Sequence, residues 1–331
     1  MQYKENKMPN VENFLKSYFT QNNITDVLTK MSKPNTPIKD LLFPENTRKQ
    51  KASAYLALSE VKDTIKAIPI VKRGAQSYPL SSEGKSSTLI EVEGFRASEI
   101  LHAKELNDVG LTGDNINSLL SERVEKVRDR ISISTEILCA QSLSGKISYP
   151  VVTAGGLNDT YEVEIGKPVN MTATNIKGKT LDEVFVALEA QFTEQIKTGE
   201  STDVRFLCGI DAYSEIISIA TNAKTALQWT DYGCVLFGKY KLQPMSGTYV
   251  LPGKTDVTNI VDTKSIQTIN IANTGKLFYT ALDDVDARLA PLPFFAKQVK
   301  IDDPSGYKII GMSKPFPALA VSKTVLRKYL A

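Results

Sequence analysis

Histidine is almost missing from this chain: His102 is the only one in 331 residues, alongside three cysteines and a single tryptophan. One imidazole cannot build a multi-histidine metal site, and His102 has no Ser or Cys partner that would suggest a nucleophile and its base. It reads as a surface or hinge side chain. The cysteines, Cys139, Cys208 and Cys234, are odd in number and form no CxxC pair. A disulfide framework and a zinc knuckle are therefore disfavoured, and a reducing site of synthesis fits best. No apolar run approaches the roughly 18 residues needed to span a bilayer. The first ten residues are polar and lack an apolar h-region, so a signal peptide is not expected.

Catalytic signatures are missing as well. There is no GxxxxGK phosphate loop, no GxSxG elbow and no HExxH pair, and Gly155-Gly156 is not followed by a helix as a nucleotide fingerprint requires. Two acidic clusters remain, Asp283-Asp284 with Asp286, and Asp302-Asp303. Both sit beside turn signals, where Asp bonds backbone amides, and they read as turn acids. Trp229 reads as a packing or edge aromatic. No catalytic, cofactor-binding or metal-ligating residue is assigned, and no enzyme activity is expected.

What is present is an ordinary globular composition, 42% hydrophobic and 23% charged. Net charge is +3 but uneven. Residues 1–60 hold nine basic and six acidic side chains and residues 297–331 hold seven and two, so the middle is net negative. Nothing resembles a helix-turn-helix, zinc finger or RNA-binding module; the two basic ends allow weak, non-specific nucleic-acid contact.

Along the chain, Val11, Phe14, Leu15, Tyr18 and Phe19 share a helical face, and the segment from Lys33 to Pro37 breaks any helix. Residues 1–60 read as an arm, either loosely tied to its own subunit or wrapping a neighbour. Residues 61–107 read as an extended two-stranded excursion: Ile65, Ala67, Pro69 and Val71 go out and Leu89, Ile90, Val92 and Phe95 return. Its polar tip is too long for a compact domain and needs a neighbour to cover it. The clearest helix spans 114–143. Asp114 is its candidate N-cap, Ile116, Leu120, Val124, Val127, Ile131, Ser134 and Leu138 form its stripe, and Gly145 is its stop. Its opposite side carries Glu122, Arg123, Lys126 and Arg130, a solvated or intersubunit face.

A hairpin follows, Ile147 to Val151 with Tyr161 to Ile165, turning through Gly155-Gly156 and Asn158-Asp159. Thr180 to Glu183 is a capping box opening a second helix over 180–198 that Gly199 ends. A strand from Val204 to Ile210 leads to a third helix capped by Asp211. Short strands fill 233–281, Phe294–Ile301 pairs with Tyr307–Met312, and Lys314 to Val321 returns to the body.

This order of elements resembles the tailed-phage capsid fold, and more closely the lambda-type major capsid protein E family. Ile131 to Gly145 followed by Lys146-Ile147-Ser148-Tyr149 looks like that family's spine helix entering a hairpin. Leu207-Cys208-Gly209-Ile210-Asp211-Ala212-Tyr213 resembles its strand-to-helix step. Leu236-Phe237-Gly238-Lys239-Tyr240 and Leu251-Pro252-Gly253 resemble its later strands and turn. Asp302-Asp303-Pro304-Ser305-Gly306, with Ser313-Lys314-Pro315-Phe316-Pro317-Ala318, resembles its C-terminal signature. The likeness covers about 50–331; the first 50 residues carry no family signature.

The resemblance implies an α+β chain with N-terminal arm 1–60, extended loop 61–107, peripheral domain 108–166 and 296–331, and axial domain 167–295. It implies a shell subunit that forms pentamers and hexamers around double-stranded DNA, assembled in the host cytoplasm with scaffold, portal and decoration proteins, with no membrane partner. Arg73, Glu83 and Lys85 in the extended loop, Arg96 beside it, and Glu122, Arg123, Lys126 and Arg130 on the spine helix are the expected intersubunit residues. Lys72 and Lys85 lie in the loop, but no Lys–Asn pair marks a self-crosslinking site. Two other readings stay open: a nanocompartment shell of the same fold, and a soluble α/β enzyme.

Overall fold

The computed structural model describes residues 11–57, 89–109, 113–153, 156–198, 202–273 and 275–330. Helices α1 (Val11–Tyr18), α2 (Gln21–Lys30) and α3 (Pro37–Leu42) come first, then strands β1 (Arg48–Lys51), β2 (Tyr55–Ala57), β3 (Leu89–Glu91) and β4 (Phe95–His102). Helix α4 (Ala103–Val109) leads into α5 (Gly113–Ser144), whose 32 residues make a rod of about 48 Å. Ile116, Leu120, Val124, Val127 and Ile131 bury one stripe of α5. Further on the burial widens: every side chain from Ile137 to Leu143 is buried. The helix is thus a surface helix at its start and a core helix at its end. Gly145 closes it at φ +83°, where an added Cβ would overlap the Gly166 carbonyl oxygen.

After α5 come β5 (Lys146–Thr153), β6 (Gly156–Glu164), β7 (Val169–Asn170), α6 (Leu181–Lys197), β8 (Val204–Cys208), α7 (Ile210–Asn222), β9 (Gln228–Thr230), β10 (Gly233–Leu236), β11 (Tyr240–Pro244), β12 (Thr248–Val250) and β13 (Val257–Asn259). The chain finishes with β14 (Ser265–Asn270), β15 (Gly275–Thr280), β16 (Phe295–Ile301), β17 (Gly306–Ser313), β18 (Pro315–Leu319) and β19 (Val325–Lys328).

Three sheets do most of the work of the fold. The antiparallel sheet β16-β17-β4 and helices α1 and α2 close a core on the first half of α5, with Leu15, Tyr18, Leu101, Ala296 and Ile309 meeting Ile116, Leu120 and Val124. The sheet β1-β15-β18 joins the larger core around the second half, where Leu277, Phe316 and Leu319 meet Leu138 and Leu143. The third sheet has seven strands in the order β7-β19-β14-β8-β11-β10-β9. Helices α6 and α7 cover one of its faces through Val184, Leu188, Ala212 and Ile216, packed with Phe206 and Leu236. Leu207 and Ile269 point the other way, into the core that holds the end of α5. Alternation along β8 is what lets one strand serve two cores.

Several expectations need correction. The Lys33–Pro37 stretch does interrupt the helices, α2 ending at Lys30, but Pro37 itself also opens α3, since a proline at the first helical position loses no hydrogen bond. The amides of Ile38 and Lys39 are instead accepted by the Glu136 carboxylate of α5, at 2.6 and 2.8 Å. Asn158 and Asp159 lie inside β6, not in the turn. Gly209, not Asp211, is the N-cap of α7, and Asp211 sits in its first turn. Leu89 to Glu91 pair with β2, and β4 pairs along its whole length with β17, so the returning limb belongs to the body. Its outgoing partner, Ile65 to Val71, lies outside the described residues, as does Gly199.

The division at 295/296 is not where the sheets part. Strand β19 is inserted between β7 and β14, and Tyr329 just after it completes the core under α6. Conversely β15, within 167–295, pairs with β1 and β18. The expected capping box is present, with Thr180 and Glu183 bonding reciprocally.

Candidate assembly surfaces

Cys139, Cys208 and Cys234 are free, buried thiols, and desolvation pushes all three upward, which keeps them protonated and unreactive. Among the described residues no group of three or more His, Cys, Asp or Glu could hold a metal ion, and no helix is long and apolar enough to cross a membrane. His102 is exposed at the end of β4.

Of the expected intersubunit residues, Arg73, Glu83 and Lys85 lie outside the described residues, as does Lys72. Glu122 and Lys126 form an exposed ion pair of 2.8 Å one turn apart on α5, an arrangement worth a few tenths of a kcal/mol. Arg123 turns inward. Its guanidinium bridges Glu99 of β4 at 3.8 Å and Glu105 of α4, tying three elements of one subunit together. Arg96 and Arg130 stay exposed, and neither has an ion-pair partner among the described residues. These two come together. They flank a cleft of about 400 Å³ between α5, β4 and the β5–β6 hairpin, floored by Phe95, Ile131, Leu138 and Tyr149. Phe95 and Tyr149 meet edge to face with ring centroids 5.3 Å apart, which fixes the floor.

A second surface lies on the seven-stranded sheet. Phe185 on α6, Phe237 in the β10–β11 turn and buried Tyr240 form an edge-to-face cluster, and Phe185 and Phe237 remain partly exposed. Lys239 closes it, pairing with Glu189 at 2.6 Å and lying over the Phe192 ring. Tyr240 donates its hydroxyl proton to the same Glu189. Trp229 stands exposed on β9, the outer strand of that sheet. It is an edge aromatic.

A third surface is the loop between β15 and β16, which composition alone marked only as an acidic turn. Asp284 is its anchor. Its carboxylate accepts from the amides of Asp286 and Ala287 and pairs with Lys297 at 2.7 Å. Burial raises its carboxyl, but the Lys297 ammonium and the two amides outweigh that and hold it below its usual value. Asp284 thus bonds the backbone of its turn, as expected of an Asp beside a turn signal, while Asp286 and Asp283 pair with Lys297 and Lys314.

The description "phage major capsid protein E" fits residues 20–327 of this sequence. The chain belongs to the phage major capsid protein E family. It is a major head protein, a subunit of a phage shell. Its fold is similar to that of a putative capsid protein of a prophage in E. coli CFT073, with a TM-score of 0.62 at 15% identity, covering 93% of this chain and 98% of that one. A capsid subunit of cyanophage A-1(L) aligns with a TM-score of 0.48 at 10% identity over 91% of this chain and 94% of its own. A phage-related protein from Bordetella bronchiseptica RB50 aligns with a TM-score of 0.47 at 11% identity over 92% and 95%. No curated protein sequence matches the chain. The mixed helix-and-sheet fold with its long spine helix is that of the phage capsid proteins.

Proposed function

We propose that this capsid protein acts purely as a structural subunit, closing an icosahedral shell from pentamers and hexamers in the host cytoplasm, with scaffold and portal proteins as assembly partners. The observation that carries this is the family match over 20–327, nearly the whole chain. A closed shell needs subunits that meet through several separate patches, because each must satisfy a ring and its neighbouring rings at once. The exposed aromatics of the seven-stranded sheet support its role as the axial unit, turned toward the ring centre. The α5 rod and the sheets at its two ends would form the peripheral unit, with β19 fastening one to the other. Double-stranded DNA would meet the inner wall through scattered lysines and arginines, without sequence readout.

The test is sedimentation of the expressed chain with and without its scaffold protein. Assemblies of many subunits, stable when nuclease removes nucleic acid, are expected. A small species under both conditions would overturn the assignment of shell building to this chain.

A further inference from the structure

A lysine is rarely buried alone, because a cation taken out of water needs an anion or several acceptors in place of its hydration. Lys39, inside α3, is only 9% exposed. Its ammonium makes no ion pair or hydrogen bond among the described residues, although Asp40 and Glu136 are close enough to act on its charge. Both carboxylates are already taken. Asp40 accepts from the Arg48 guanidinium and from the Thr36 hydroxyl. The two oxygens of Glu136 accept from the amides of Ile38 and Lys39. Burial accordingly pulls the Lys39 ammonium below its ordinary 10.5, against a smaller upward pull from Asp40.

The covered side chain ends at a pocket. A cavity of about 430 Å³ opens between the linker before α3, α3 itself and the start of β1, and Lys33, Lys39 and Arg48 all line it, with Thr36, Asp40 and Glu45. Its two acids are spent on its two outer cations: Arg48 pairs with Asp40 at 2.5 Å and Lys33 with Glu45 at 3.4 Å. The second of these pairs is exposed on both sides, so water screens it and the Lys33 head group can turn to a ligand. The charge left without a counter-charge is that of Lys39. Its nitrogen is not among the sealed, unsatisfied polar atoms, so the ammonium opens on the cavity. Cationic head groups converging on one concavity, the innermost of them unpaired, form an arrangement that holds an oxyanion.

We propose that this pocket binds one phosphate group, with the Lys39 ammonium as its central ligand and the Lys33 and Arg48 head groups at its sides. A phosphate presents enough oxygens to meet three cationic heads at once, whereas a carboxylate has two. Asp40 and Glu45 on the same wall admit a single phosphate and repel a run of them. Inorganic phosphate and a backbone phosphate of DNA share this chemistry. The site belongs to the subunit and does not depend on the shell reading. Every lining residue comes from the stretch 33–48, so a bound phosphate ties the linker, α3 and β1 together and stabilises the arm against the body.

Equilibrium dialysis of the purified chain against radiolabelled inorganic phosphate, in chloride buffer of constant ionic strength, reads the site directly. Saturable binding of a single phosphate per chain is expected, weakened by roughly tenfold or more in K39M, which keeps an unbranched buried stem and removes the charge. A second arm measures binding of a short DNA duplex by fluorescence anisotropy. Duplex binding that inorganic phosphate displaces and K39M loses makes the DNA backbone a source of the group; phosphate binding that K39M weakens, with duplex binding unchanged, assigns the site to the free ion. Absence of saturable binding of both probes would overturn the proposal, as would equal phosphate affinity in wild type and K39M. Acetate that displaces phosphate at equal concentration would overturn the choice of phosphate over carboxylate. The wild-type thermal midpoint gives a reading that needs no variant: it is expected to rise with phosphate concentration at constant ionic strength, and a midpoint that stays fixed would contradict the site.

Discussion

Glu136 shows how far a single side chain reaches in this protein. It stands in the last third of the spine helix, yet it satisfies the two leading amides of α3 in the arm, nearly a hundred residues earlier. Replacing it, Glu136→Gln, leaves an amide group facing two N–H donors and should cost about 1–2 kcal/mol, the usual worth of a cap, seen as a lower thermal midpoint of the soluble subunit. Burial lifts its carboxyl above the ordinary 4.5, against the downward pull of the Lys39 and Ile38 amides. A raised carboxyl means that the folded chain holds its proton more tightly than the unfolded one. This contribution is therefore full below 4.5 and is lost as pH rises through the folded value. As pH rises above 4.5 the wild-type midpoint should fall with that slope, and that of E136Q should lack this contribution. Gly145 is a second such position. Any side chain at its φ of +83° meets the Gly166 carbonyl, so Gly145→Val should cost more than the ~1–2 kcal/mol of the left-handed backbone alone, measured by denaturant midpoint.

At the scale of elements, α5 matters most, because separate cores close on its two ends. Leu120 is fully buried against the arm and Leu101, so Leu120→Ala should lose about 3 kcal/mol and loosen α1 and α2 first, read by faster amide exchange in 11–30. Glutamine side chains perform the equivalent task for β19. Gln191 donates to the carbonyls of Ile266 and Val325 and accepts from Tyr329, and Gln195 donates to Lys323. Gln191→Leu should cost about 1–3 kcal/mol by leaving the buried Tyr329 hydroxyl without that acceptor. The strong local signals, the α5 stripe and the Thr180 box, were readable because they are written within a few residues. Helix α3 was not, since its cap arrives from Glu136, and a proline looks the same whether it stops a helix or starts one. Strands β1, β7 and β19 are two to four residues long and pair with distant partners, so no local periodicity announces them. The surfaces were partly legible for the same reason. The charges on α5 stand out in sequence. Only the fold turns Arg123 inward to Glu105, brings Arg130 beside Arg96, and ties the acidic turn at Asp284 to Lys297.

For the whole molecule, the described parts give a subunit with one rod, several sheets and three exposed surfaces. Family membership fixes what such a subunit builds, and the order of its elements along the chain made that family recognisable before any distance was known. Its exposed charge pairs are weak and screened, so salt should change the rate of assembly more than the stability of the finished shell. Electron microscopy of the expressed chain in negative stain, with and without its scaffold protein, tests the central claim most directly. Closed shells, or rings of five and six subunits, are the predicted result. A uniform field of monomers or small dimers under both conditions would contradict the account.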